Sequence, residues 1–207
     1  MAVTAIAINC TLKRGEEDSS TDLMIRVVAD ALAAQGVTLA ETLRMADYDI
    51  RPGVTSNEGE GDDWPELRRR ILAHDILVFG TPIWLGQMSS IAKRVLERMD
   101  AFLGETDERG RMPSFGKLAV AAIVGNEDGA HAVTADLFQA LNDVGWTIPA
   151  GAACYWVGEA MGSTDLKDLD AIPDKVTQTA KMLASNAAHL ARRLEGAAYP
   201  GIEPEED

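Results

Sequence analysis

The 207-residue chain reads as a three-layer, doubly wound α/β sandwich around a five-stranded parallel sheet. Three observations predict this. Short apolar runs at 3–9, 37–43, 76–79, 118–124 and within 147–157 alternate with stretches whose apolar residues recur at helical spacing. Alternating strand and helix signals are the mark of a parallel sheet with crossover helices. The loops after the first, third and fourth runs are unlike ordinary turns in composition. With right-handed crossovers the strand order is 2-1-3-4-5, which brings those three loops to one sheet edge.

Each element has its own signal. The run at 3–9 is followed by a polar loop, 10–22, and then by a stripe of Leu23, Met24, Val27, Val28, Ala31 and Leu32 that ends near Gly36. The run at 37–43 is the second strand. The next stretch, 44–63, is polar, acidic and rich in glycine, and it exceeds the usual loop length, which marks it as functional or mobile. Trp64, Leu67, Ile71 and Leu72 form a helical face, with Asp62 or Asp63 as N-cap and Pro65 in the first turn. After the third strand, Met88, Ile91, Ala92, Val95, Leu96, Met99, Phe102 and Leu103 predict a helix. After the fourth, Val133, Leu137, Phe138, Leu141 and Val144 predict another. Val176, Ala180, Leu183, Ala187, Leu190, Ala191 and Leu194 mark a long last helix. The expected organisation is a single domain over 1–195 and a loosely held acidic tail over 196–207.

Composition narrows the function classes. The 19 Lys and Arg against 33 Asp and Glu give a net charge of −14. Such a surface repels phosphate backbones, so no nucleic-acid partner is expected. No apolar run approaches the roughly 20 residues of a membrane helix. The short apolar start lacks a basic leader, so a cytoplasmic protein without a membrane partner is expected. Cys10 and Cys154 form no metal set and no CxxC motif. They read as buried, reduced thiols, and no metal site is expected.

The three loops carry the chemistry. In the first, Thr11, Ser19, Ser20 and Thr21 supply hydroxyls and Lys13 a cation just before a helix N-terminus, which is a phosphate site. One of the serines also caps the helix. Neither GxxxxGK[ST] nor GxGxxG is present, so neither a triphosphate loop nor a dinucleotide site is expected. The loop after strand three contains Pro82, Ile83, Trp84, Leu85 and Gly86. Pro82 fixes its own φ, and Gly80 and Gly86 permit close approach or positive φ. Its Trp84 is either a core residue or the wall of a ligand site. The loop after strand four offers Gly125, Asn126, Glu127, Asp128 and Gly129. A phosphate end, a flat apolar wall and polar edges together describe a site for flavin mononucleotide (FMN).

These motifs resemble the NADPH-dependent FMN reductase and NAD(P)H:quinone reductase branch of the flavodoxin-like superfamily. The resemblance spans about residues 3–195. Thr11-Leu12-Lys13 with Ser19-Ser20-Thr21 matches the family's first loop. Thr81-Pro82-Ile83-Trp84-Leu85-Gly86, followed by Lys93 and Asp100, matches its Pro-aromatic-Gly loop and helix. Gly125-Asn126-Glu127-Asp128-Gly129 matches its third loop loosely, because the acidic pair replaces the usual small residues. The resemblance implies an FMN-dependent oxidoreductase that takes hydride from NADPH or NADH and passes electrons to a quinone-like or other small acceptor. It also implies a homodimer or homotetramer. The loops at 47–61 and 158–170 are candidates for the subunit contact or the acceptor pocket.

With a flavin, the cofactor carries the chemistry, and few catalytic side chains are expected. Two readings stand for His131: an acid–base group that offsets the charge of a reduced flavin, or a residue that merely opens the following helix. Tyr155-Trp156 covers the ring, forms a subunit contact or packs in the core. The alternative class is a flavodoxin-type electron carrier without turnover of its own, for which the −14 charge suits docking to basic partners.

Overall fold

The computed structural model describes residues 2–160, 162–197 and 199–202. In chain order the main elements are β1 (Thr4–Asn9), α1 (Ser20–Ala33), β2 (Thr38–Arg44), α2 (Trp64–Leu72), β3 (Ile76–Trp84), β4 (Gln87–Met88), α3 (Ser90–Met99), β5 (Leu118–Gly125), α4 (Ala130–Asp143), β6 (Ala153–Val157) and α5 (Asp174–Leu194). The sheet order is β2-β1-β3-β5-β6, all parallel, and β4 pairs antiparallel with β3 alone. With the two-residue β4 set aside, this is the predicted flavodoxin-like order.

Both sheet faces are covered, which is why the central strands are apolar without alternation. One core unites α1 and α5 with the sheet through Met24, Val28, Leu183 and Ala187; the other unites α2, α3 and α4 with it through Trp64, Val95, Met99 and Leu137. Gly80 belongs to the first of these. A Cβ there would lie 2.5 Å from Ile25 Cδ1 and 3.0 Å from Ile8 O, so α1 sits directly on the β3 backbone. Its role is close approach, whereas Gly86 supplies the positive φ. Cys10 and Cys154 are buried free thiols, and burial pushes both pKa values up.

The stretch 80–87, expected as a loop, is mostly strand. β3 runs through Trp84, turns at Leu85-Gly86 and returns as β4, pairing Ile83 with Met88 and Trp84 with Gln87. Leu85 (φ 52) and Gly86 (φ 74) both take left-handed backbone, as the two-residue hairpin turn of matching twist requires. Leu-Gly lacks the Asn-Gly signature of that turn, so the sequence does not announce it.

The acidic stretch 44–63 is folded around one buried charge. Arg98 of α3 is wholly buried. Its guanidinium donates to Thr55 O (3.0 Å), Arg51 O (2.9 Å) and both oxygens of Asp62 (3.0 and 2.7 Å), and it lies over the Trp64 ring. Asp62 also accepts the backbone N–H groups of Glu58, Trp64 and Arg51. Burial alone would raise the Asp62 carboxyl, but the Arg98 bonds and these N–H donors outweigh it and hold it well below the usual carboxylate range. Asp63 occupies the N-cap position of α2 without a side-chain cap bond; its carboxylate accepts instead from Asp49 N. Of the tail from Gly196, Tyr199 bonds Thr147 through its hydroxyl and meets Phe115 edge-on. Residues 203–207 lie outside the described residues.

Three stability outcomes are expected. Arg98→Met strands the Asp62 carboxylate and costs about 3–5 kcal/mol in urea unfolding, part of which Asp62→Asn added to Arg98→Met restores. The gap between wild type and Asp62→Asn is full at neutral pH, because a depressed carboxyl stabilises above its unfolded pKa, and it narrows as pH falls below about 4. At the hairpin, Leu85 is 92% exposed, so Leu85→Asn loses no packing and relieves left-handed strain. It should raise stability by about 1 kcal/mol in the same assay.

Candidate functional site

The carboxyl ends of β1, β3 and β5 emerge side by side, and the loops that follow them enclose a cavity of about 440 Å³. Its wall includes Thr11, Lys13, Ser19, Ser20 and Thr21 from the first loop and α1. It includes Pro82, Ile83, Trp84 and Leu85 from the hairpin, and Gly125, Asn126 and Glu127 from the loop after β5. Twelve of the residues singled out in the sequence therefore share one wall. A larger hollow of about 550 Å³ is lined by 105–107, 111–113 and 115. It lies where α3 ends and β5 has yet to begin, at the opposite sheet edge from the loops.

The first loop is shaped by buried polar bonds. Asn9 is wholly buried at the end of β1. It accepts Thr11 N (2.9 Å) and donates to Asp22, which also pairs with Arg44. Arg44 in turn donates to Glu17 O, and Lys13 Nζ to Asp18 O (2.6 Å). Ser19 caps α1 by accepting Thr21 N. Glu16, Glu17 and Asp18 are exposed, so the loop's carboxylates stand in solvent while Thr11, Ser19 and Thr21 are buried. Among the lining residues Lys13 is the cation and stands at this end; Glu127 and Asp165 are acidic and belong to the other.

The hairpin and the loop after β5 are fastened together. Gly129, at φ 131, packs so closely on Gly86 that a Cβ would lie 2.8 Å from Gly86 Cα and O. Glu127 then clamps the turn: its Oε1 accepts Leu85 N and its Oε2 accepts Gly86 N, each at 2.9 Å. Trp84 is half-exposed at the mouth, so it walls the cavity rather than filling the core. Asn126 donates to Asp165 Oδ1 (2.6 Å), while its own Oδ1 is buried with no hydrogen-bond partner among the described residues.

Gly86, Asp128, Gly129 and His131 lie off the cavity wall. Gly86 and Gly129 act instead through their mutual contact. His131 is exposed on the first turn of α4 and bonds Tyr155 Oη through Nε2 (3.0 Å), with the rings edge to face. Val124, Trp156, Gly162, Asp165 and Leu166 join the wall beyond the residues chosen as a site. Trp156 carried an aromatic signal. The others came from an apolar strand end and from a loop of small and polar residues, brought in by Asn126–Asp165 and by Lys167 N on Ser20 Oγ (3.3 Å). No local pattern marks such long-range bonds.

The residues fit FMN. Hydroxyls and a lysine beside a helix N-terminus suit the phosphate, and aromatic and aliphatic side chains suit a flat ring. The unpartnered Asn126 Oδ1 is a buried acceptor that lacks a donor, and the imide N–H of a flavin ring is such a donor. The amides of Leu85 and Gly86 at the hairpin turn are engaged by Glu127.

Comparison with known proteins agrees with the geometry. Residues 3–161 match the family described as NADPH-dependent FMN reductase. An 8-demethyl-8-aminoriboflavin-5'-phosphate synthase of Streptomyces davaonensis is 33% identical over 96% of this chain and 81% of its own. The crystal structure of RosB with a bound intermediate, 8-demethyl-8-formylriboflavin-5'-phosphate, superposes with a TM-score of 0.84 at 29% identity, covering 96% of this chain and 82% of that one. A Mycobacterium bovis protein named divalent metal cation transporter MntH is 37% identical over 94% of this chain, which spans only 29% of that protein. Among the described residues no helix is long and apolar enough to cross a membrane, and no group of three or more His, Cys, Asp or Glu is placed to hold a metal.

Proposed function

The chain belongs to the NADPH-dependent FMN reductase family, and on that premise we propose that its cavity holds FMN, draws electrons from NADPH or NADH and passes them to a quinone-like or other small acceptor. One observation carries the reading: a single cavity has hydroxyls and Lys13 at one end and an aromatic wall with the unpartnered Asn126 Oδ1 at the other. When bound, FMN supplies the hydride and electron chemistry.

The protein's own part is to hold and shield. Thr11, Lys13, Ser19, Ser20 and Thr21 take the phosphate. Ile83, Trp84, Val124 and Trp156 wall the ring and keep water from it, and Asn126 Oδ1 accepts the imide proton without removing it. The same proposal includes a homodimer or homotetramer in which a neighbouring copy covers the exposed Trp84 and Leu85. His131, bonded to Tyr155 away from the cavity wall, has no assigned step.

The similarity to the aminoriboflavin phosphate synthase favours a second reading, in which the flavin phosphate is itself the substrate and leaves altered. The mass of flavin recovered after incubation separates the two: an unchanged mass keeps the first, and a changed mass selects the second.

Two outcomes are expected. Soaking with FMN and desalting should leave about one FMN per chain, and Lys13→Ala should weaken FMN about tenfold, a loss of about 1.4 kcal/mol, while binding of riboflavin, which lacks the phosphate, stays within about twofold. The loaded protein should then oxidise NADPH or NADH faster when a quinone is added. A nicotinamide left unoxidised with every quinone tried would retire the reductase reading.

A further inference from the structure

The turn at Leu85-Gly86 offers two consecutive backbone N–H groups to one point. Successive amides in left-handed backbone make a concavity that receives anions and carbonyl oxygens. Its occupant here is internal. Glu127 reaches across from the loop after β5 and gives one carboxylate oxygen to each amide, Leu85 N to Oε1 and Gly86 N to Oε2, both at 2.9 Å. Glu127 also lines the cavity. The contact between Gly86 and Gly129 fixes the distance between the two loops, so the carboxylate is held within reach of the turn.

A flavin ring presents carbonyl oxygens on either side of its imide N–H. The acceptor for the N–H is the unpartnered Asn126 Oδ1, next to Glu127 in the chain, which is buried against Gly158 and reaches the ring once the amide turns toward the cavity that Asn126 lines. Donors for the carbonyl oxygens are the missing half, and the turn amides that would serve are taken.

We propose that Glu127 sets the affinity for the flavin, as an internal competitor whose carboxylate, anchored on Leu85 N at the cavity wall and on Gly86 N behind it, must let go of the turn before a ring carbonyl takes its place. The inference rests on the flavin reading of this cavity. Its consequence is an asymmetric grip: at the phosphate end Lys13 gives one N–H to Asp18 O and keeps two more donors, and the serine hydroxyls that accept backbone N–H groups can still donate, whereas each turn amide has a single N–H and it is taken. The flavin is then exchangeable, as suits a site whose flavin enters and leaves.

The test is titration of wild type, Glu127→Gln and Glu127→Asp with FMN and with riboflavin, followed by quenching of flavin fluorescence. The Gln side chain has one acceptor oxygen and an NH₂ that cannot accept, so it frees one amide. The Asp side chain keeps the charge but is too short to hold both amides. Both variants should bind FMN and riboflavin about tenfold more tightly than wild type. A merely damaged loop loses affinity, and only release of a competitor raises it. Equal or weaker binding by Glu127→Gln overturns the inference and leaves the flavin reading standing. Tighter binding by Glu127→Gln without any gain in Glu127→Asp also overturns it, since charge alone would then be the cause. FMN held by none of the three proteins overturns the flavin reading and this inference together.

Discussion

One row of the sheet decides the rest. Asn9, Gly80, Ala122 and Cys154 stand in register across β1, β3, β5 and β6. Because the strands are parallel, each leaves the sheet at the same edge within a few residues of that row. The loops that follow must therefore meet, and the cavity is where they meet. Asn9 sits in the row itself, and its side chain starts the bonds that shape the first loop. Gly80, beside it, admits α1 onto β3, which brings the helix N-terminus to the cavity. Backbone pairing thus places the site, and side chains refine it.

Much of this is legible in the chain because it is written locally. Runs such as 118–124 are apolar throughout, since both faces are covered, and the helical stripes repeat at their own period. The three loops stand out by composition, so most of the cavity wall can be named in advance. What escapes is non-local or runs against type. Leu85 adopts a backbone that favours Asn or Gly, and nothing in Leu-Gly announces a hairpin. Arg98 looks like a solvated residue on α3, yet it is wholly buried, because its partner Asp62 is 36 residues away and the carbonyls it satisfies belong to an irregular stretch. Asp165 and Gly162 reach the cavity from the 158–170 loop, which family resemblance offers as a candidate for a subunit contact or an acceptor pocket without marking which of its residues line the site. Glu127 reads as a departure from a small-residue loop, but the reach of its side chain is visible only in three dimensions.

Acidic residues serve two unlike purposes in this chain. In the first loop they are turned out to water, while Thr11, Ser19 and Thr21 are buried and Lys13 stands exposed at the edge of the cavity. In the stretch before α2, one of them is drawn wholly inside to meet a guanidinium. Such a pair contributes little over apolar packing, but it fixes one arrangement for a stretch with few apolar residues to bury. The net charge of −14 therefore does not stop an otherwise soluble-looking segment from folding against α3.

The sheet order has a consequence at its margins. β2 and β6 are its outer strands, and each leaves a row of backbone groups able to pair with a stranger. β2 is studded with charge: Glu41 is bound to Arg70, and Arg44 to Asp22. β6 is only five residues long. A second chain approaching either margin meets ionised side chains or too short a template. Pairing through sheet backbone is thus disfavoured at both margins, and a neighbouring chain that docks must do so through side chains, the half-exposed indole at the mouth of the cavity among them.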